Sequence, residues 1–171
     1  MTSKLILLLV IFAAALGVIY VGYGQKQNAA PMIKVSAPSP VSSGLKTFQS
    51  KTMKFTISVP PNFDIKSTDI TVSIKSKGEE IQIVSNGTQF SNVDSYLSDF
   101  DKKRNSIIKS GANLFIDHNN AVKRIETPKS ANQEELVYYI FVEPSVYILS
   151  TSSPALYSDL DQIAQSFRYT P

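Results

Sequence analysis

The 171 residues contain no cysteine and no tryptophan, and histidine occurs once, at His118. Without cysteine there is no disulfide, no thiolate metal site and no lipid-modified cysteine anchor. With one histidine, a zinc site of three or four nitrogen and sulfur ligands has no donor set. Any Ser-His-Asp device would have to use His118 beside Asp117. Neighbours on a strand point to opposite faces, so Asp117 is poorly placed to orient that ring, and an exposed turn histidine is expected. Seven glycines, none clustered, provide no phosphate-cradling loop. Acidic residues are missing from the first 45 positions, where Lys4, Lys26 and Lys34 are the only charged side chains. The other 14 of the 17 Lys and Arg face 14 Asp and Glu from Lys46 onward, so that part is formally neutral. A nucleic-acid binder needs a concentrated basic surface, and no nucleic-acid partner is expected.

What is present begins with an uncharged apolar run entered through Lys4: Leu5, Ile6, Leu7, Leu8, Leu9, Val10, Ile11, Phe12, then Leu16, Val18, Ile19, Tyr20 and Val21 among small residues, ending at Tyr23. At about 1.5 Å per residue such a helix matches a hydrocarbon layer of about 30 Å. Two readings stand: a retained single-pass membrane anchor, or a signal peptide cut near the small residues Gly22 and Gly24. Either way the folded part is expected outside the cytoplasm, anchored at the cell membrane or, after cleavage, secreted. Residues 25–45, with Pro31, Pro38, Pro40 and few large apolar side chains, read as a spacer. Residues 46–171 are the right size for one core.

In that domain Met53, Phe55, Ile57 and Val59 alternate with polar residues until Pro60-Pro61 stops the strand. Ile70, Val72 and Ile74, a Lys77-Gly78 turn, and Ile81 and Ile83 read as a hairpin. Phe63 and Ile65 between these strands suit a short strand or a packed loop. Val93, Tyr96, Leu97, Phe100, Ile107 and Ile108 fall on one helical stripe, capped by Ser91 or Asn92 and ending near Lys109 and Gly111. Leu114 and Ile116 read as a strand, Asn119-Asn120 as its turn, and Ala121 to Glu126 as its partner. The run Leu136 to Val142 has to be covered on both faces and belongs at or near the sheet centre. Val146 to Leu149 lies beside it. Ser153-Pro154 opens a second helix with the stripe Leu156, Leu160, Ile163, Ala164 and Phe167. The expected class is α+β: an αβα sandwich on a mainly antiparallel sheet of about six or seven strands, preceded by the N-terminal transmembrane helix.

Polar groups add little chemistry. Lys102, Lys103, Arg104 and Lys109 with Asp99 and Asp101 read as a solvated mixed-charge helix face, and Glu79-Glu80 and Glu134-Glu135 as solubilising pairs. Asp94, Asp99 and Asp101 could supply carboxylates to a weak calcium site, though nothing there resembles a calcium loop. Asn86-Gly87-Thr88 fits the glycosylation pattern but reads first as a turn. The tyrosines crowd the last hairpin and helix, and Tyr139, Tyr147, Tyr157 and Tyr169 are a candidate docking surface.

Two stretches carry a resemblance. Phe55-Thr56-Ile57-Ser58-Val59-Pro60-Pro61-Asn62-Phe63 is similar to the opening strand of PsbP-like domains (Mog1/PsbP fold), with Phe63 where that family usually has Trp. Tyr147-Ile148-Leu149-Ser150, followed by Leu160 to Tyr169 with its Ser166-Phe167, resembles the family's last strand and closing helix. The resemblance implies a non-enzymatic interaction or assembly module without catalytic, cofactor or metal residues, whose protein partner is unknown. A domain binding or sensing a small apolar ligand is the alternative, and a hydrolase using His118 a remote one.

Overall fold

The structure, a computed structural model, describes residues 44–131 and 133–171. The apolar run Leu5 to Tyr23 and most of the spacer lie outside the described residues. Among the described residues no helix is long and apolar enough to cross a membrane.

A seven-stranded sheet, antiparallel throughout, forms the centre, in the order β3-β4-β5-β9-β8-β7-β6. Its strands are β3 (Asp64–Ser67), β4 (Thr71–Ser76), β5 (Glu79–Gly87), β6 (Ile107–Ile116), β7 (Asn119–Thr127), β8 (Glu135–Val142) and β9 (Ser145–Thr151). A separate small sheet has the order β1-β2-β10: β1 (Lys46–Ser50), β2 (Phe55–Val59) and β10 (Arg168–Tyr169). The expected opening strand thus exists as β2 but belongs to this second sheet. Helix α1 (Val93–Arg104) covers one face of the large sheet; α2 (Tyr157–Gln165), led by a 3₁₀ turn at Pro154–Leu156, covers the other with the small sheet.

Strand alternation explains both layers. On β8, Leu136, Tyr138, Ile140 and Val142 face α2 and the small sheet, whereas Val137, Tyr139 and Phe141 face α1. On β9, Tyr147 and Leu149 join the first layer and Val146 the second. A strand this apolar needs cover on both sides and receives it. Leu156, Leu160, Ile163, Ala164 and Phe167 are all buried, and each large side chain among them contributes about 2 kcal/mol of burial. Fewer apolar groups hold α1: Val93, Tyr96 and Leu97 are its buried residues. Its first turn is capped by Asn92, whose Oδ1 accepts the Ser95 N–H at 2.8 Å.

Several expectations are corrected. Helix α1 stops at Arg104 because Asn105 adopts the left-handed conformation (φ 54°) and returns its N–H to the Asp101 carbonyl. Ile107 and Ile108, assigned by spacing to the helix stripe, open β6 instead, 67% and 44% exposed. Ile70 precedes β4 and is 64% exposed, outside the buried row of Val72 and Ile74. The β6–β7 turn is Asp117-His118, both with positive φ (50° and 64°), and Asn119-Asn120 begin β7. Asn86 and Gly87 are not a turn either; they end β5 opposite Val146 and Ser145. Phe63 is buried, and Ile65 lies on the short edge strand β3.

Candidate functional site

Three places on the domain combine polar or apolar groups in ways the core does not require. The first lies beneath the C-terminal half of α1. Arg104 reaches down from the helix: one guanidinium nitrogen donates to Glu126 Oε1 at 2.7 Å, the other to Glu135 Oε2 at 2.9 Å. The Tyr139 hydroxyl donates to the same Glu126 oxygen at 3.0 Å. One turn back on the helix, Asp101 accepts from Arg124 with both oxygens at 2.9 Å. Aromatic faces pad the guanidiniums, with Arg104 over Phe100 at 5.6 Å and Arg124 over Tyr139 at 5.8 Å.

This cluster has three carboxylates and two guanidiniums, and its middle carboxyl, Glu126, is fully buried. Its second oxygen, Oε2, is buried without a hydrogen-bond partner. Burial pushes the Glu126 carboxyl above the ordinary value of 4.5; the Tyr139 hydroxyl and the Arg104 and Arg124 guanidiniums pull it back without cancelling that effect. Burial likewise raises the Tyr139 phenol, with the Glu126 charge adding to it. No nucleophile or histidine joins the group, and α1 covers it. Chemically it is a clamp holding a thinly packed helix to β7 and β8.

The clamp has a pH signature. The native protein holds the Glu126 proton more tightly than the unfolded chain does, so this contribution to stability is complete below the ordinary value of 4.5 and is lost as pH rises through the folded value. Glu126→Gln cannot titrate. The melting temperature of the variant minus that of the parent is therefore expected to increase with pH above 4.5; a difference independent of pH would refute the assignment.

The second place is an open groove of about 710 Å³ between α1 and the end of β5 with the loop that follows it, lined in part by Ser85, Asn86, Phe90, Tyr96, Phe100 and Lys103. It is open to solvent, and not the enclosed pocket that an apolar-ligand site requires.

The third is β6 itself. It ends the large sheet, and its outer side pairs with no strand among the described residues. Phe115, Ile107 and Ile108, three of the four exposed large apolar side chains among the described residues, sit on this one strand, Phe115 at 73%.

The expected site residues separate. Tyr139 and Tyr147 are not on a docking surface, because both rings are buried. Tyr139 belongs to the clamp, and the Tyr147 hydroxyl donates to the Met53 carbonyl at 2.6 Å, joining β9 to the approach to β2. Tyr157 and Tyr169 are half-buried and pack against the first core layer. His118 is an exposed turn residue. Asp117 points its carboxylate elsewhere: Oδ2 accepts the Tyr169 N–H at 2.8 Å, and Oδ1 lies 3.7 Å from Arg168 Nε. The mixed-charge helix face is partly internal. Lys103 pairs with Asp99 at 2.7 Å at the surface, but Arg104 and Asp101 serve the clamp. Of the acidic pairs, Glu135 belongs to the clamp, Glu134 meets Lys109, and Glu80 lies 3.5 Å from Lys75. Sequence reading missed Glu126; the available signal was Arg124 and Glu126 sharing a strand face with Val122.

Compared by sequence, the chain matches no family model and no curated protein. By structure it is similar to the cyanobacterial PsbP protein CyanoP of Synechocystis sp. PCC 6803, with a TM-score of 0.53 at 8% identity over 79% of this chain and 98% of that one. It is also similar to a Pseudomonas aeruginosa protein of unknown function, with a TM-score of 0.50 at 13% identity over 75% of this chain and 99% of that one. At such identities the likeness concerns the path of the backbone, and the described domain is PsbP-like in fold.

Proposed function

We propose that this chain is a membrane-tethered, non-enzymatic docking domain that engages a protein through the outer edge of β6. One observation carries the reading: Ile107, Ile108 and Phe115 are exposed together on an edge strand whose outer side pairs with no strand among the described residues. Edge strands expose unpaired N–H and C=O groups and template pairing with another chain unless something blunts them. The PsbP-like fold supports an interaction module. The buried clamp offers no group for covalent or acid-base chemistry on a substrate.

The tether rests on the uncharged stretch Leu5 to Tyr23, which has the length a hydrocarbon layer demands. The domain then stands on the outer side of the cell membrane behind the spacer of residues 25–45. A photo-crosslinking residue in place of Phe115 in the full-length chain, in its native membranes, tests the docking reading. A protein adduct is expected at position 115 at about fivefold the yield at Lys66 on the opposite edge, since binding energy concentrates at buried apolar anchors. Equal yields at the two positions would contradict it. Alkaline extraction of the same membranes tests the tether, which predicts that the chain stays in the pellet.

A further inference from the structure

The two edges of the large sheet are built differently. The edge strand β3 has four residues and carries Asp64 and Lys66, devices that discourage pairing. The other edge strand, β6, has ten. Its ladder to β7 shifts register between Ile108 and Ser110 and then runs unbroken to Ile116. That regular stretch, Ser110-Gly111-Ala112-Asn113-Leu114-Phe115-Ile116, has neither charge nor proline.

Gly111 is the second residue of this stretch, just past the register shift, and neither its backbone angle nor crowding within the chain demands a glycine. Its φ is not positive, and an added Cβ would meet Arg124 Cγ at 3.7 Å and the Lys123 carbonyl at 3.8 Å, ordinary contacts. Glycine weakens a strand, and inside one it marks either a bulge, as at the register shift beside it, or a place where another group approaches closely. Phe115, on the same face two pleats away, is an exposed ring with little to pack on.

We infer that β6 pairs antiparallel with β6 of a second copy of this chain about a two-fold axis at Asn113. The inference rests on the docking reading of the same edge and names its occupant. A two-fold interface is self-complementary, and a pairing that uses the whole regular stretch has Asn113 at its centre. Phe115 of the second copy then lies opposite Gly111, which leaves room for the ring. Leu114 lies opposite Ala112, and Ile116 opposite Ser110. Opposed residues must share a face, and these do. Asn113 opposes Val122 of the α1 layer, so Gly111 and Phe115 share that side, while Leu114 opposes Ala121 of the other layer, as the alternation requires. Just beyond the two ends of the stretch the same axis sets Lys109, which also meets Glu134, nearest Asp117 of the second copy, opposite in sign, whose carboxylate also accepts the Tyr169 N–H. A foreign strand could satisfy the backbone, but the symmetric register also accounts for the glycine and the ring together. Anchoring on one membrane would raise the effective concentration of two copies.

The absence of cysteine makes the test clean. Asn113→Cys in the full-length chain, oxidised in its native membranes, is expected to form a disulfide-linked dimer, since paired positions on an axis bring the Cβ atoms within disulfide reach. Lys66→Cys, on the opposite edge, is expected to stay monomeric. Adding Gly111→Val to Asn113→Cys places a branched side chain under the incoming ring and is expected to lower the dimer yield about tenfold, without lowering the melting temperature of the monomer. Monomeric Asn113→Cys in a folded chain, equal dimer at both edges, or indifference to Gly111→Val would each overturn the inference. If Asn113→Cys stays monomeric while position 115 crosslinks to a different protein, self-pairing falls and the docking reading stands.

Discussion

Phe167→Ala is expected to lower stability by about 4 kcal/mol, the cost of removing a large aromatic from a close-packed interior. Phe167 is fully buried where three elements meet. Its ring stacks on Phe55 of β2 at 5.4 Å and tilts against Tyr147 of β9 at 5.0 Å. It also sits between the end of α2 and β10, so its loss loosens the small sheet from both the helix and the large sheet. Ser166, beside it, holds the same junction by accepting the Ser58 N–H at 2.8 Å. Phe167→Leu keeps most of the volume and is expected to cost about 1.5 kcal/mol. Urea denaturation of both variants checks the ranking. Equal losses would mean that the side chain is not packed against Phe55 and Tyr147.

Arg104→Ala is the second large effect, expected at about 3 kcal/mol near neutral pH because it strands a buried carboxylate. The guanidinium bridges Glu126 and Glu135 across two strands, and only the Tyr139 hydroxyl would remain on Glu126. At about 4 °C per kcal/mol for a domain of this size, the melting temperature falls by about 12 °C. Glu126 already favours its protonated form relative to an ordinary glutamate, so the loss should shrink as pH falls towards 4.5. Glu126→Gln in the Arg104→Ala background removes the stranded charge and is expected to recover part of the loss. A double variant no more stable than Arg104→Ala alone would show that the clamp holds α1 by packing and not by charge.

Much of the domain was legible because burial imposes a period on the sequence. The apolar run Leu136 to Val142 announced a strand covered on both sides, and the stripe from Leu156 to Phe167 announced a helix on one of them. The rest escaped for particular reasons. Ile107 and Ile108 fall at helical spacing after Val93, and spacing alone does not show that Asn105 breaks the helix. A hairpin turn at Asn119-Asn120 leaves every side chain on the same face as one at Asp117-His118, so the period of two cannot choose between them. Both pairs tolerate positive φ. The Tyr169 N–H bond accepted by Asp117 supports the observed turn, and that contact spans 52 residues of sequence. The separation of β2 from the large sheet depends on β10 returning beside it, which no local pattern announces.

At the candidate sites, sequence reading led from tyrosine frequency to a surface, yet Tyr139 and Tyr147 proved to be internal struts. Tyr138 behaves in the same way: its hydroxyl donates to Asp161 at 2.6 Å and so ties β8 to α2. Phenol oxygens buried with a partner give a sandwich fixed distances between its layers. The clamp was illegible because its members come from α1, β7 and β8 and meet only through the strand register, which sets Val122 against Tyr139. The exposed edge at β6 was illegible for a simpler reason. Whether a strand lies inside a sheet or at its border is a property of topology, and Phe115 looks like any core residue until its strand is last.

Hydrogen exchange of the β6 amides, followed on the full-length chain in its native membrane vesicles and on the same chain diluted in detergent, tests the docking edge most directly. Outward-facing amides of residues 110–116 are expected to exchange at least about tenfold more slowly in the membrane, because pairing satisfies edge groups that are otherwise open to water. The β3 amides at the other border should exchange alike in both states. Equal exchange of the β6 amides in membrane and detergent would contradict a domain that works through that edge.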